Sequence, residues 1–208
     1  MYRRLTAAAV LAVVCGAPGA GAQIGTVDFD AFEIAGGVAS HDLPIGGGDL
    51  EDGPDIVGQV YFPLPEIARY IGRPRFFVGG NLNTSGDTSF GGFGLSWRWD
   101  VLPESLSRKI YIQGDFGYTL HTGEISIPDA MPGDPPDVVA ELNFLNENTI
   151  EFGSRDLFRS AFAVGWRLNE RIALEGFIEH LSHGQIIGGP ENDALNNAGG
   201  RIAFQFGR

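Results

Sequence analysis

The sequence predicts an all-β fold, an eight-stranded antiparallel transmembrane β-barrel of the bacterial outer membrane. Three observations carry this prediction. Apolar and polar residues alternate with a period of two over eight segments, each near the ~9–11 residues of a tilted membrane-spanning strand. Short and long connections alternate between these segments, as they do in transmembrane barrels. The N-terminus has the pattern of an export signal.

Residues 1–22 combine a charged start, a short apolar run and a small-residue cleavage motif. Arg3 and Arg4 form the charged start, and the apolar run is too short to cross a bilayer as a helix. We therefore expect a signal peptide over 1–22 and a single β-barrel domain over 23–208. The only cysteine, Cys15, lies in the predicted signal, so disulfides and thiol chemistry are excluded for the mature chain.

Each predicted strand places large apolar residues on one face and small, polar or charged residues on the other. Phe93 and Trp97, for example, share a face along 89–99, and Gly94 and Arg98 share the opposite face. The predicted strands are 28–39, 55–62, 74–84, 89–99, 109–120, 156–168, 171–182 and 197–206.

The alternation alone does not say which face points outward. A soluble barrel would bury its large apolar residues, whereas a transmembrane barrel turns them toward lipid. The apolar face carries too many aromatic residues to fit inside eight strands, and small residues with a few charged and polar ones suit that narrow interior. We therefore predict that the apolar face contacts lipid.

The connections between the strands differ in length from one end of the barrel to the other. The short links are expected to be periplasmic turns and the long ones outer loops. The predicted turns are 63–73, 100–108 and 168–171, and the predicted outer loops are 40–54, 121–155 and 183–196. No regular structure is predicted for 121–155, which contains four prolines.

The predicted mature chain is strongly acidic. Without Arg3 and Arg4, 12 basic residues face 26 acidic ones, a net charge of −14. Because a phosphate-binding surface needs clustered positive charge, nucleic acid is excluded as a partner. No metal site is predicted, since solvated loop side chains explain the outer histidines and acids more simply than a metal or calcium site. These residues are His41, His121 and His183, and Asp49, Glu51, Asp52 and Asp55.

One pair of residue types could carry chemistry. Ile172, Leu174 and Ile178 define the apolar face of the seventh segment, and the same parity continues to His180 and Ser182. Residues at i and i+2 of a strand have Cα atoms about 6.6 Å apart, within reach of an imidazole that leans toward a serine. A serine hydroxyl becomes a nucleophile when a base takes its proton. A chance His-x-Ser is nevertheless common.

The C-terminal region 177–206 resembles the PagL-type lipid A 3-O-deacylases, a family of eight-stranded outer-membrane barrels. The resemblance rests on the runs 179–184 and 192–196, followed by an apolar final strand. It implies that His180 is the general base and Ser182 the nucleophile. It also implies hydrolysis of the ester-linked 3-hydroxyacyl chain of lipid A in the outer leaflet, without a cofactor.

Two departures from the family pattern stand out. His183 follows the serine where the family often has Asn, which leaves its part in transition-state stabilisation open. Asn196 stands where the family's acidic third residue is expected. An asparagine can orient an imidazole but cannot offset its charge. Glu191 is the alternative third member, and Glu179 is less suitable because its parity points inward.

Two other functions fit the same sequence. The chain could be a non-catalytic outer-membrane barrel with a structural or adhesive role through its long acidic loops. It could also be a soluble periplasmic barrel that binds a small apolar ligand. Whether two copies form a homodimer stays open.

Overall fold

The computed structural model describes residues 32–44, 50–100, 102, 109–189 and 191–206. Within these residues, eight antiparallel strands form a closed barrel in which each strand pairs with the next and the last pairs with the first. The strands are β1 (Glu33–Ser40), β2 (Pro54–Phe62), β3 (Arg75–Asn83), β4 (Phe90–Trp99), β5 (Ile110–His121), β6 (Asp156–Arg167), β7 (Ile172–Ser182) and β8 (Leu195–Gln205). The predicted fold class is confirmed. The predicted signal peptide, 1–22, lies outside the described residues.

The strand boundaries agree with the prediction within about two residues, except at the start of β1. That strand begins at Glu33, and 28–31 lie outside the described residues. At the other extreme of the chain, β8 begins at Leu195, two residues before the predicted start. Leu195 pairs with Leu181 of β7, so the ladder continues across two asparagines. Pairing with a neighbouring strand here outweighs the low β-propensity of asparagine.

Two of the connections contain helices that the sequence did not predict. A 3-10 helix, Glu66–Ile71, lies in the link between β2 and β3, and the helix α1, Pro136–Asn148, lies in the long link between β5 and β6. Pro136 suits the first turn of α1, where a backbone N–H would have no helical partner. Neither helix has a buried residue. No helix of the described chain is long and apolar enough to cross a membrane.

The outer wall of the barrel is apolar, as predicted. On β7, for example, Leu174 and Ile178 are exposed while Glu175 and Glu179 between them are buried. Aromatic residues gather at the end of the barrel at which β1 begins and β8 ends, and the ring of Phe32 packs 5.4 Å from that of Phe62 there. An apolar wall of this kind, with aromatic residues at its rim, belongs in a bilayer. The protein is therefore an outer-membrane β-barrel, and the soluble alternative is wrong.

The barrel interior is polar and tightly packed. Arg98 lies at the centre of one layer and donates hydrogen bonds to Glu33, Gln113 and Glu175 at 2.7–3.1 Å. The interior is bulkier and more charged than the expected small residues. Its buried large or charged side chains include Glu33, Tyr61, Arg75, Phe77, Arg98, Tyr111, Asp115, Arg159, Glu175, Glu179 and Arg201.

An apolar cluster crosses the interior at the end of the barrel that is predicted to face outward. Leu157, Leu181 and Leu195 contribute to it from the strands, and Ile150 and Phe152 join them from the link between β5 and β6. All five side chains are almost completely buried. The end of this long link therefore folds into the mouth of the barrel instead of extending into solvent.

Candidate active site

The outer end of β7 places a histidine and a serine on the lipid-facing wall. Glu179 and Leu181 are buried inside the barrel, and His180 and Ser182, which alternate with them, are half-buried on the outside. This is the orientation that the parity of the sequence predicts. Ile178 lies next on the same face, toward the membrane centre, and is 55% exposed. The pair therefore lies at the upper edge of the apolar band.

His180 joins Ser182 and Asn196 in one chain of hydrogen bonds. Its Nε2 lies 3.1 Å from Ser182 Oγ, and its Nδ1 lies 2.8 Å from Asn196 Oδ1. The second contact follows from the sheet register, because His180 and Asn196 are direct partners between β7 and β8. An amide oxygen can only accept, so Nδ1 carries the proton. Nε2 is then free to accept the hydroxyl proton of Ser182.

Neither acidic candidate contacts His180. Glu191 is exposed, and its backbone oxygen accepts a hydrogen bond from His183 Nε2 at 2.5 Å. Glu179 points into the barrel, as its parity predicts, and forms an ion pair with Arg159 at 2.7 Å. The geometry thus favours Asn196 as the residue that orients the imidazole.

The interpretation of His183 as a solvated loop residue is wrong. Its side chain is completely buried, with Nε2 donating to Glu191 O and Nδ1 accepting from the N–H of Gln185 at 3.1 Å. Both ring nitrogens are therefore occupied on the inner side of the strand, away from the hydroxyl of Ser182. His183 therefore holds the loop after β7 in place through these two contacts.

His41 is also buried, contrary to the prediction. Its Nδ1 lies 2.9 Å from Asp55 and its Nε2 lies 3.1 Å from Glu51. Burial alone would lower the pKa of His41, but hydrogen bonds to the two carboxylates outweigh it and raise the pKa to about 9. At neutral pH a charged imidazolium therefore pairs with two acids that were predicted to be solvated surface charge.

The third outer histidine, His121, is buried as well. Its Nε2 lies 2.7 Å from the backbone oxygen of Ser154, and its ring packs 4.2 Å from that of Phe152. Like His41, it ends up inside because the outer loops fold into the mouth of the barrel. Among the described residues, no group of three or more His, Cys, Asp or Glu side chains is arranged to hold a metal ion. Asp49, from the proposed acidic cluster, lies outside those residues.

Strand β6 supplies two neighbours of this site that were not predicted from the sequence. Phe158 is the direct partner of Ser182, and Ser160 is the direct partner of His180. Both are half-buried on the outer wall. Phe158 also stacks on Phe116 of β5 with ring centroids 6.0 Å apart. Parity could place these side chains on the outer face, but only the register between β6 and β7 brings them beside the histidine and the serine.

Comparison with known proteins supports the fold. No family model and no curated protein sequence matches the chain. The crystal structure of the outer membrane enzyme PagL aligns with a TM-score of 0.54 and 11% identity, over 83% of this chain and 98% of that one. The barrel domain of Pseudomonas aeruginosa OprF and Neisserial surface protein A align with TM-scores of 0.48, at 6% and 12% identity. These two alignments cover 85% and 84% of this chain and 98% and 97% of the others.

These identities are too low to carry an activity from one chain to another. The architecture is that of an outer-membrane barrel. The function of a barrel of this kind depends on its own side chains.

Proposed function

We propose that the protein is an outer-membrane serine esterase that removes the ester-linked 3-hydroxyacyl chain of lipid A. The observation that carries this proposal is the hydrogen-bonded chain of Ser182, His180 and Asn196 on the lipid-facing wall. A nucleophile, a base and an orienting group in this order are the minimum that serine hydrolases use.

The position of the three residues suits a lipid substrate. They lie at the outer end of β7 and β8, and the apolar wall begins directly below them. An acyl chain packed beside Ile178 and Phe158 could present its ester carbonyl to Ser182 without leaving the membrane. The lipid of the outer leaflet that carries ester-linked hydroxyacyl chains is the lipid A of lipopolysaccharide, so it is the proposed substrate.

The reaction proceeds in two halves. Ser182 Oγ attacks the ester carbonyl as His180 Nε2 takes the hydroxyl proton, and the tetrahedral intermediate expels the sugar oxygen, which receives that proton. The hydroxyacyl chain is then esterified to Ser182. A water molecule, deprotonated by His180, attacks this second ester, and the fatty acid leaves as Ser182 regains its proton. The balance is one ester and one water in, one alcohol and one 3-hydroxy fatty acid out.

The activity is tested by analysing lipid A from a host whose lipid A carries the ester-linked hydroxyacyl chain. We expect mass spectrometry of cells producing this protein to show lipid A lighter by one hydroxyacyl group, together with the free 3-hydroxy fatty acid. The same host without the gene is the control. Purified protein in detergent is also mixed with isolated lipopolysaccharide. Absence of both products in cells and in detergent would refute the proposal.

Changing Asn196 to aspartate should make the enzyme faster. Asn196 Oδ1 already accepts the Nδ1–H of His180 at 2.8 Å, so the carboxylate would keep this contact and add a negative charge beside the imidazolium. We expect kcat to rise by about tenfold or more, since even ~1.4 kcal/mol of extra transition-state stabilisation gives that factor. The measurement is the initial rate of fatty acid release. Asn196→Leu is the matched control and should be slower than wild type, and an Asp variant no faster than the Leu variant would contradict this role.

A non-catalytic adhesive role is the second candidate. It is favoured by α1, which has no buried residue and exposes Val138 and Phe144 at 37% and 64%. Exposed apolar side chains on an outer loop suit contact with another macromolecule. This function predicts that Ser182 and His180 can be replaced without consequence.

A further inference from the structure

The link between β2 and β3 exposes apolar side chains at the periplasmic end of the barrel. Ile67, Tyr70 and Ile71 of the 3-10 helix are 76%, 75% and 57% exposed. A turn that is surrounded by water rarely presents three large apolar side chains so close together. Among the residues that the structure describes, none covers these three side chains, so they are available for contact with the surroundings of the barrel.

The helix rests against the lipid-facing wall. Trp97 Nε1 donates a hydrogen bond to the backbone oxygen of Ile71 at 2.8 Å, and a Cβ added to Gly72 would lie 3.3 Å from the Trp97 ring. Trp97 points outward, because it alternates with buried Ser96 and Arg98 on β4. The segment joins β2 to β3, yet it reaches sideways to the outside of β4. It is thus continuous with the lipid-contacting surface.

The charges of the segment suit a headgroup region. Arg69 lies 4.8 Å above the ring of Tyr70 and donates to its hydroxyl at 2.8 Å. Arg69 and Arg73 share one acidic partner, Glu66, at 3.6 and 3.3 Å, and their side chains are 50% and 54% exposed. The segment therefore carries a net positive charge beside an aromatic ring. Tyrosine and arginine favour the boundary between acyl chains and anionic headgroups.

We infer that the segment 66–73 is an interface anchor that binds the inner leaflet of the outer membrane. Ile67, Tyr70 and Ile71 lie among the upper parts of the acyl chains, and the two arginines lie at the phospholipid headgroups. Short amphipathic segments with this composition bind membrane interfaces in the plane of the bilayer. The anchor acts at the opposite end of the barrel from Ser182, and it does not depend on the proposed esterase activity.

A probe at position 67 tests the anchor directly. In the full chain carrying Cys15→Ser, Ile67→Cys provides the only thiol for a polarity-sensitive fluorophore. The protein is refolded into vesicles of phosphatidylcholine and phosphatidylglycerol, and folding is checked by heat-modifiable gel migration. We expect a blue shift of the emission relative to the labelled protein unfolded in urea, and a loss of emission when the vesicles contain lipids with a quencher on the upper acyl chain.

The matched control is Glu170→Cys, in the tight turn between β6 and β7 at the same end. Glu170 is also exposed, but neighbouring Asn169 and Arg171 make its surroundings polar. We expect its label to emit as in water and to be unaffected by the acyl-chain quencher. Equal, water-like emission from both labels in correctly folded barrels would overturn the proposal. Strong quenching at both positions would also overturn it, because the contact would not be specific to the segment.

Discussion

The variant Ser182→Ala should lose lipid A deacylation and keep its fold. Ser182 is half-buried on the outer wall, and the hydrogen bond with His180 Nε2 at 3.1 Å links it to the imidazole. Removing the hydroxyl takes away the nucleophile, and losses of about 10⁴–10⁶ in kcat are typical for such a change. The measurement is fatty acid release from lipopolysaccharide by equal amounts of folded protein.

Two further variants make the result specific. His180→Ala should lose as much activity as Ser182→Ala, and the double variant should be no slower than either, because the two groups act as a unit. Ser40→Ala is the matched control, an exposed serine at the outer end of β1, and it should keep wild-type activity. If Ser182→Ala hydrolyses lipid A at the wild-type rate, the proposed mechanism is wrong.

The variant Arg98→Leu should give the largest loss of stability. Arg98 donates to Glu33, Gln113 and Glu175, and its guanidinium lies 4.1 Å above the ring of Tyr111. A leucine removes one cationic partner from each of the two buried carboxylates, Glu33 and Glu175. Breaking a buried ion pair in this way costs about 3–5 kcal/mol. We expect this decrease in the free energy of unfolding, measured by urea titration in lipid vesicles.

The controls for this experiment separate buried from exposed charge. Arg171→Leu removes an exposed arginine from the turn before β7 and should change the free energy of unfolding by no more than about 0.5 kcal/mol. A loss no larger than that of Arg171→Leu would contradict the central position of Arg98 in the network.

The strands and the orientation of their faces could be predicted because both depend on local alternation. A period of two is a property of a single segment, so it can be recognised without knowing which strands pair with that segment. The outward orientation of His180 and Ser182 follows from the same parity. The strands of the barrel and two of the three candidate site residues could therefore be predicted from the sequence.

The rest depends on contacts between distant parts of the chain. The sequence left Asn196 and Glu191 open as the third residue, and only the pairing of β7 with β8 brings Asn196 to the imidazole. The burial of His41 and His183 was missed for a related reason. A polar loop residue has the same sequence pattern whether water or a folded loop satisfies its hydrogen bonds. The helix α1 was missed because its apolar residues give only a weak helical periodicity.

The filled interior has a consequence for the permeability of the cell envelope. Among the described residues, the ion pairs around Arg98 occupy the lumen, and the apolar cluster around Phe152 lies across its outer mouth. A hydrated ion or a small toxic solute would have to break buried ion pairs to pass. The esterase that we propose for the outside of this wall would therefore act at the cell surface without opening a channel through the membrane.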